Sequence, residues 1–84
     1  MGMSRDEVAT QLKDLLVERF SVPREKLQPQ SHLFDDLGLD SMDLLGAIAI
    51  LEERYDVEIP DDELTEMLVL DKCVDRITQH LASA

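Results

Sequence analysis

The chain has no tryptophan, one tyrosine and two phenylalanines among 84 residues. A core must therefore come from Leu, Ile, Val and Met, a soft and adaptable packing. Cysteine occurs once, as Cys73, so no internal disulfide can form and the chain has no need of an oxidising compartment. Basic residues are scarce: 8 Lys and Arg against 19 Asp and Glu leave a net charge of -11. That charge repels phosphate backbones and anionic lipid, which disfavours nucleic acid and membrane surfaces and favours a basic protein face. No apolar run approaches the roughly 18 residues that span a bilayer. The N-terminus lacks the basic and apolar regions of a signal peptide, and Asp6 stands where a myristoylation pattern requires Ser or Thr. A cytoplasmic protein is expected. With only three glycines and three prolines and no period-two alternation, strands and repeats are not expected either.

What the chain does have is helical periodicity in a length suited to one domain over residues 1–84. Met1-Gly2-Met3 is expected to lie outside the folded part, with Met3 as a natural start. Ser4 and Glu7 form the pattern of a capping box. Val8, Leu12, Leu15, Leu16 and Phe20 follow at helical spacing, which predicts a first helix over about residues 5–20. Residues 21–39 contain Pro23, Pro29 and Gly38 and hold no sustained period, so they read as a long loop. Leu27, Leu33, Phe34 and Leu37 could pin that loop to the helices, Ser31 could cap a short turn, and His32 reads as a solvated loop residue.

A second helix is predicted over about 41–55, with Asp40 as N-cap and Asp43 three residues on. At about 100° per residue, Leu44, Ala47, Ile48, Leu51 and Tyr55 share a core stripe. Met42, Leu45 and Ala49 fall on another side with Asp43, Gly46, Glu52 and Glu53. An apolar patch rimmed by acid is a candidate docking surface. Asp61-Asp62 offers a cap for a short third helix with Leu64, Met67 and Leu68. Leu70, Val74, Ile77 and Leu81 predict a fourth over about 70–82. The expected fold is an all-α small four-helix bundle of three longer helices and one short one, with a long loop between the first two.

Ser41 stands out for chemistry. Asp40 already supplies the helix cap, so the Ser41 hydroxyl is left free, and Gly38 ends the loop nearby. A phosphate joined there would face unpaired N–H groups and the positive helix end. Catalysis by Ser41 is disfavoured, because no base partner or GxSxG turn accompanies it. A calcium loop counted from Asp36 fails, with Ser41 where Gly is needed and Ala47 where Glu is needed. Cys73, beside the core position Val74, reads as an inert, partly buried thiol. His80 reads as a solvated residue of the last turn, and the Asp61-Asp62-Glu63 run as a cap and solvated face.

The stretch Gly38-Leu39-Asp40-Ser41-Met42-Asp43-Leu44-Leu45, followed by Leu51-Glu52-Glu53-Arg54-Tyr55-Asp56-Val57-Glu58-Ile59-Pro60-Asp61, resembles the acyl carrier protein family across nearly the whole chain. The resemblance implies that Ser41 carries 4'-phosphopantetheine through a phosphodiester, with Asp40 as the adjacent motif acid. Acyl groups would ride as thioesters on the arm. It implies a phosphopantetheinyl transferase as one partner. Others would be acyl-transferring, ketosynthase-type or acyl-activating enzymes with basic docking faces, in fatty acid, polyketide or related lipid biosynthesis. The chain would be a monomeric cosubstrate, not an enzyme, and docking in the family runs mainly through the second helix. Met42 replaces the family's Leu, Gly46 stands where Glu is common, and the usual Thr before the fourth helix is missing, so that Asp71 is expected to cap it. These departures point to a specialised carrier. A peptidyl or aminoacyl carrier, or a small acidic interaction bundle without a prosthetic group, are the competing readings.

Overall fold

The computed structural model describes residues 4–83; the expectation about Met1-Gly2-Met3 lies outside them. Three α-helices carry the fold: α1 (Arg5–Phe20), α2 (Ser41–Tyr55) and α3 (Leu70–Ser83). Between α2 and α3 lies a short helix, Asp61–Glu66. The four expected helices are all present, and among the described residues there is no strand. One isolated antiparallel bridge joins His32 to Val69.

Each of the first two long helices starts where its side chains satisfy the backbone. Ser4 Oγ accepts from the Glu7 N–H at 3.2 Å, and Glu7 reaches back to the Ser4 N–H. Asp40 and Asp43 repeat the device at α2, with the Asp43 N–H donating to Asp40 Oδ1 at 2.8 Å. Both helices end on non-glycine residues in the left-handed region, Ser21 at φ 57° and Asp56 at φ 54°, a conformation that Asp tolerates better than most side chains.

The start of α3 departs from expectation. Asp71 does not cap it. The Leu70 N–H donates to the Ser31 carbonyl at 2.9 Å and the Asp71 N–H to the Pro29 carbonyl at 3.0 Å, so two donors of the helix start are satisfied by loop backbone. The Asp71 carboxylate instead pairs with Arg5, which also binds Asp75. Hydrogen bonding to Asp75 and then Asp71 pushes the Arg5 guanidinium above its ordinary range.

The short third helix is 3₁₀ and not α. Six residues suit that tighter winding, which is used in short pieces. Its cap position is Pro60 and no side chain bonds there, so the Asp61-Asp62 pair opens the helix without capping it. A polar clamp ties it to α3: Arg76 binds Glu63 at 3.1 Å and Glu66 at 2.9 Å, and His80 Nε2 lies 2.8 Å from Glu63 Oε2. His80 is thus half-buried and partnered, not solvated. Seventeen residues apart in sequence, Glu63 and His80 give no local signal of that contact.

One apolar core runs through all of this. Val8, Leu12, Leu15 and Leu16 of α1 meet Leu44, Ala47, Ile48 and Leu51 of α2 and Leu70, Cys73, Val74, Ile77 and Leu81 of α3. The long loop supplies Val22, Leu27, Leu33, Leu37 and Leu39, all buried. It also contains a 3₁₀ turn at Arg24–Lys26. Ser31, itself buried, donates through Oγ to the Lys26 carbonyl at 2.7 Å and accepts from the Gln28 N–H at 3.1 Å. It therefore braces the stretch behind that turn instead of opening a new one.

Cys73 is fully buried, and desolvation pushes its thiol up from 9.0 to about 12. Below pH 9 the thiol is protonated whether the chain is folded or not, and stability is unaffected. Between pH 9 and 12 the unfolded chain releases the proton while the folded chain keeps it, so stability falls by about 1.4 kcal/mol per pH unit. Denaturant titrations at pH 8, 9.5 and 10.5 should show this fall, and Cys73→Ala should lack that component of it.

Candidate attachment site and docking face

The site begins in the loop. Gly38 has φ +74°, and a Cβ there would meet nothing within 4 Å, so glycine is required by the backbone alone. Its N–H donates to the Phe34 carbonyl at 3.1 Å, and the Leu39 N–H to the Leu33 carbonyl at 3.1 Å. These bonds close a turn over residues 33–38. Leu39 is then buried in the core, which seats the next residue, Asp40, at the mouth of α2.

Ser41 is the first residue of α2 and is exposed. The Asp43 N–H goes to Asp40 Oδ1 and the Leu44 N–H to the Asp40 carbonyl at 3.0 Å. Among the described residues none hydrogen-bonds the Ser41 hydroxyl. The arrangement offers a hydroxyl at the start of a capped helix, open to solvent and accepting or donating no hydrogen bond among the described residues. It suits a group that is acted upon. A surface groove of about 480 Å³ elsewhere, lined by Thr65, Glu66, Leu68, Val69, Lys72, Asp75, Arg76 and Gln79, includes no residue of α2 and has no part in this geometry. No group of three or more His, Cys, Asp or Glu side chains that could hold a metal occurs among the described residues, and among them no helix is long and apolar enough to cross a membrane.

A family model described as a phosphopantetheine attachment site matches residues 10–79. The acyl carrier protein of Acidothermus cellulolyticus is 32% identical over 84 residues, 100% of each chain. That of Rubrobacter xylanophilus is 31% identical over 78 residues, 93% of this chain and 96% of the other. This chain belongs to the acyl carrier protein family. A solved structure of the acyl carrier protein from Enterococcus faecalis shares the fold, with a TM-score of 0.76 at 24% identity over 93% of this chain and 99% of that one. The prosthetic group of the family is 4'-phosphopantetheine, and the free, exposed Ser41 hydroxyl at a helix start fits a phosphodiester link.

The carrier's α2 presents the outward residues unequally. Met42 is 75% exposed and Leu45 37% exposed, the two exposed large apolar side chains among the described residues. Ala49 and Glu53 are exposed beside them, and Asp43 is half-buried. Glu52 is engaged within the fold, where its Oε2 accepts from the Ile59 N–H at 2.7 Å and so holds the chain after α2. Arg54 turns toward α1, where Nη1 donates to Gln11 Oε1 at 2.7 Å. Sequence periodicity placed these residues on faces, but could not reveal that Glu52 is committed to a backbone N–H seven residues on.

Gly46 has no backbone reason to be glycine, since its φ is not positive and a Cβ would meet only Phe20 Cζ, at an ordinary 3.7 Å. Gly46→Ala is therefore expected to stabilise the carrier by about 1 kcal/mol through helix propensity, raising Tm by roughly 4–8 °C in a domain of this size. Differential scanning calorimetry would check it; a lower Tm would mean that Phe20 cannot yield.

Proposed function

We propose that Ser41 is the attachment residue and that the chain serves as a cosubstrate, delivering acyl thioesters to partner enzymes. The observation that carries this reading is the unengaged, exposed Ser41 hydroxyl at the start of a helix that Asp40 has already capped. In the loading reaction Ser41 Oγ bonds to the phosphorus of coenzyme A that bears the pantetheine. The pyrophosphate bridge breaks, adenosine 3',5'-bisphosphate leaves, and the hydroxyl proton passes to a base of the transferase. The thiol at the end of the arm supplies the acyl chemistry when bound.

The tethered cargo reaches successive active sites at high effective concentration without release. Met42, Leu45 and Ala49, flanked by Asp43, Gly46, Glu52 and Glu53, form the docking face. Acid steers a basic partner and the small apolar centre anchors it, a combination that associates and dissociates fast. The partners are a phosphopantetheinyl transferase and acyl-handling enzymes of fatty acid, polyketide or related lipid biosynthesis, in the cytoplasm. Incubation with coenzyme A, Mg²⁺ and a broad-specificity transferase, followed by intact mass measurement, should give one phosphopantetheine adduct per chain. No adduct would overturn the reading.

A further inference from the structure

We infer that His32 is a positioning residue for Ser41, acting as a neutral hydrogen-bond acceptor that holds the turn leading into the attachment site. This rests on the reading of Ser41 given above. The ring Nδ1 of His32 accepts from two successive backbone N–H groups, Phe34 at 3.2 Å and Asp35 at 3.1 Å. To accept from them the ring must carry its proton on Nε2; the Asp35 carboxylate, with Oδ2 3.8 Å from the same nitrogen, stays beyond hydrogen-bond distance. The backbone of the same residue closes the turn from the other side. Its N–H donates to Asp36 Oδ2 at 2.6 Å, and its carbonyl accepts from Asp36 at 2.9 Å and Leu37 at 3.2 Å. The imidazole also makes a T-shaped contact with the Phe34 ring, with centroids 5.8 Å apart and planes at 71°.

The position of this knot in the fold gives it a reach beyond itself. On either side of His32 the backbone is fixed to the start of α3, through Ser31 accepting from Leu70 and Leu33 donating to Leu68 at 2.7 Å. The turn it braces ends at Gly38, and the Leu33 carbonyl holds the Leu39 N–H. Two residues later stands Ser41. The path from ring to hydroxyl is thus one continuous hydrogen-bonded turn and one buried anchor. A side-chain oxygen of Asn, Asp or Ser commonly plays such a local role in turns. Here an Asp would add a third carboxylate next to Asp35 and Asp36, whereas a neutral imidazole supplies the acceptor without charge. Both Phe34 and Asp35 lose their acceptor if the ring is replaced by an apolar side chain, and a turn that is formed only a fraction of the time presents Ser41 correctly only that fraction of the time.

The test compares wild type, His32→Asn and His32→Val as apo-carriers for a broad-specificity phosphopantetheinyl transferase, well below their melting temperatures. In Asn the Oδ1 stands where Nδ1 stood, so its loading should stay within about twofold of wild type. His32→Val should show a KM for the carrier raised about tenfold at nearly unchanged kcat, the pattern expected when only the competent fraction binds. Long-range ¹H–¹⁵N NMR of the wild type should show the Nε2–H tautomer, a readout that does not depend on whether His32→Val folds. An Nδ1–H tautomer, equal loading of wild type and His32→Val, or a His32→Asn variant as impaired as His32→Val would each overturn the proposal. Failure of the wild type to load at all sinks the Ser41 reading and this proposal with it. Loading that is indifferent to His32 sinks this proposal alone.

Discussion

Ser41→Ala should eliminate the phosphopantetheine adduct completely while leaving the fold as stable as wild type. The first half follows from chemistry, since no other hydroxyl shares the position: Ser41 opens α2, is exposed, and has its oxygen uncommitted to the protein. The second half follows from the same facts. The cap of α2 is Asp40, whose carboxylate holds the Asp43 N–H, so removing the Ser41 oxygen orphans nothing, and alanine is the better helix former by a few tenths of a kcal/mol. Intact mass after transferase treatment reads the first effect and a thermal melt by circular dichroism the second. An adduct that persists in Ser41→Ala would move the attachment elsewhere. Loss of the adduct together with a collapsed melt would mean that Ser41 is needed structurally, contrary to its free hydroxyl.

Leu33→Ala should be among the most destabilising single changes in the chain, although Leu33 belongs to a loop. Its side chain is 1% exposed, and truncating a buried leucine costs about 2–5 kcal/mol, depending on how far the site collapses. At about 4–8 °C per kcal/mol, Tm should fall by roughly 10 °C or more. Gln30→Ala, three residues earlier and exposed, should stay within about 0.5 kcal/mol of wild type. Chemical denaturation of both variants checks the contrast. Similar midpoints would show that the loop is a covering strap and not part of the core.

Much of this architecture is legible in the residues alone. The capping box of Ser4 with Glu7 and the N-cap at Asp40 are local rules, and both appear as the sequence implied; that Asp43 also reaches back to close a second box is the structure's addition. The core stripes of α1, α2 and α3 are likewise a matter of spacing, and they are buried except at their ends, where Phe20 and Tyr55 are half-buried. Of the expected loop anchors Leu27, Leu33, Phe34 and Leu37, the three leucines are buried and Phe34 is half-buried against the core. Val22, Leu39 and Ile59 are equally buried.

Other features were not legible, most of them because their partners are distant in sequence. Asp71 looked like a helix cap by position, yet the carbonyls of Pro29 and Ser31 fill that role from some forty residues away, which frees its carboxylate for Arg5. His80 and Glu63 meet only because the 3₁₀ helix folds onto α3. His32 looked solvated because no rule of spacing distinguishes a histidine that accepts two backbone N–H groups from one that faces water. Local physics, with hydrogen bonds and periodicities spanning three or four residues, determined the helices, the cap at Asp40 and the free hydroxyl of Ser41. Only the tertiary structure decided how the long loop is nailed to α3 and that Glu52 serves the backbone at Ile59. Those contacts depend on chain segments brought together by burial of the shared apolar core, and periodicity within one helix carries no information about them.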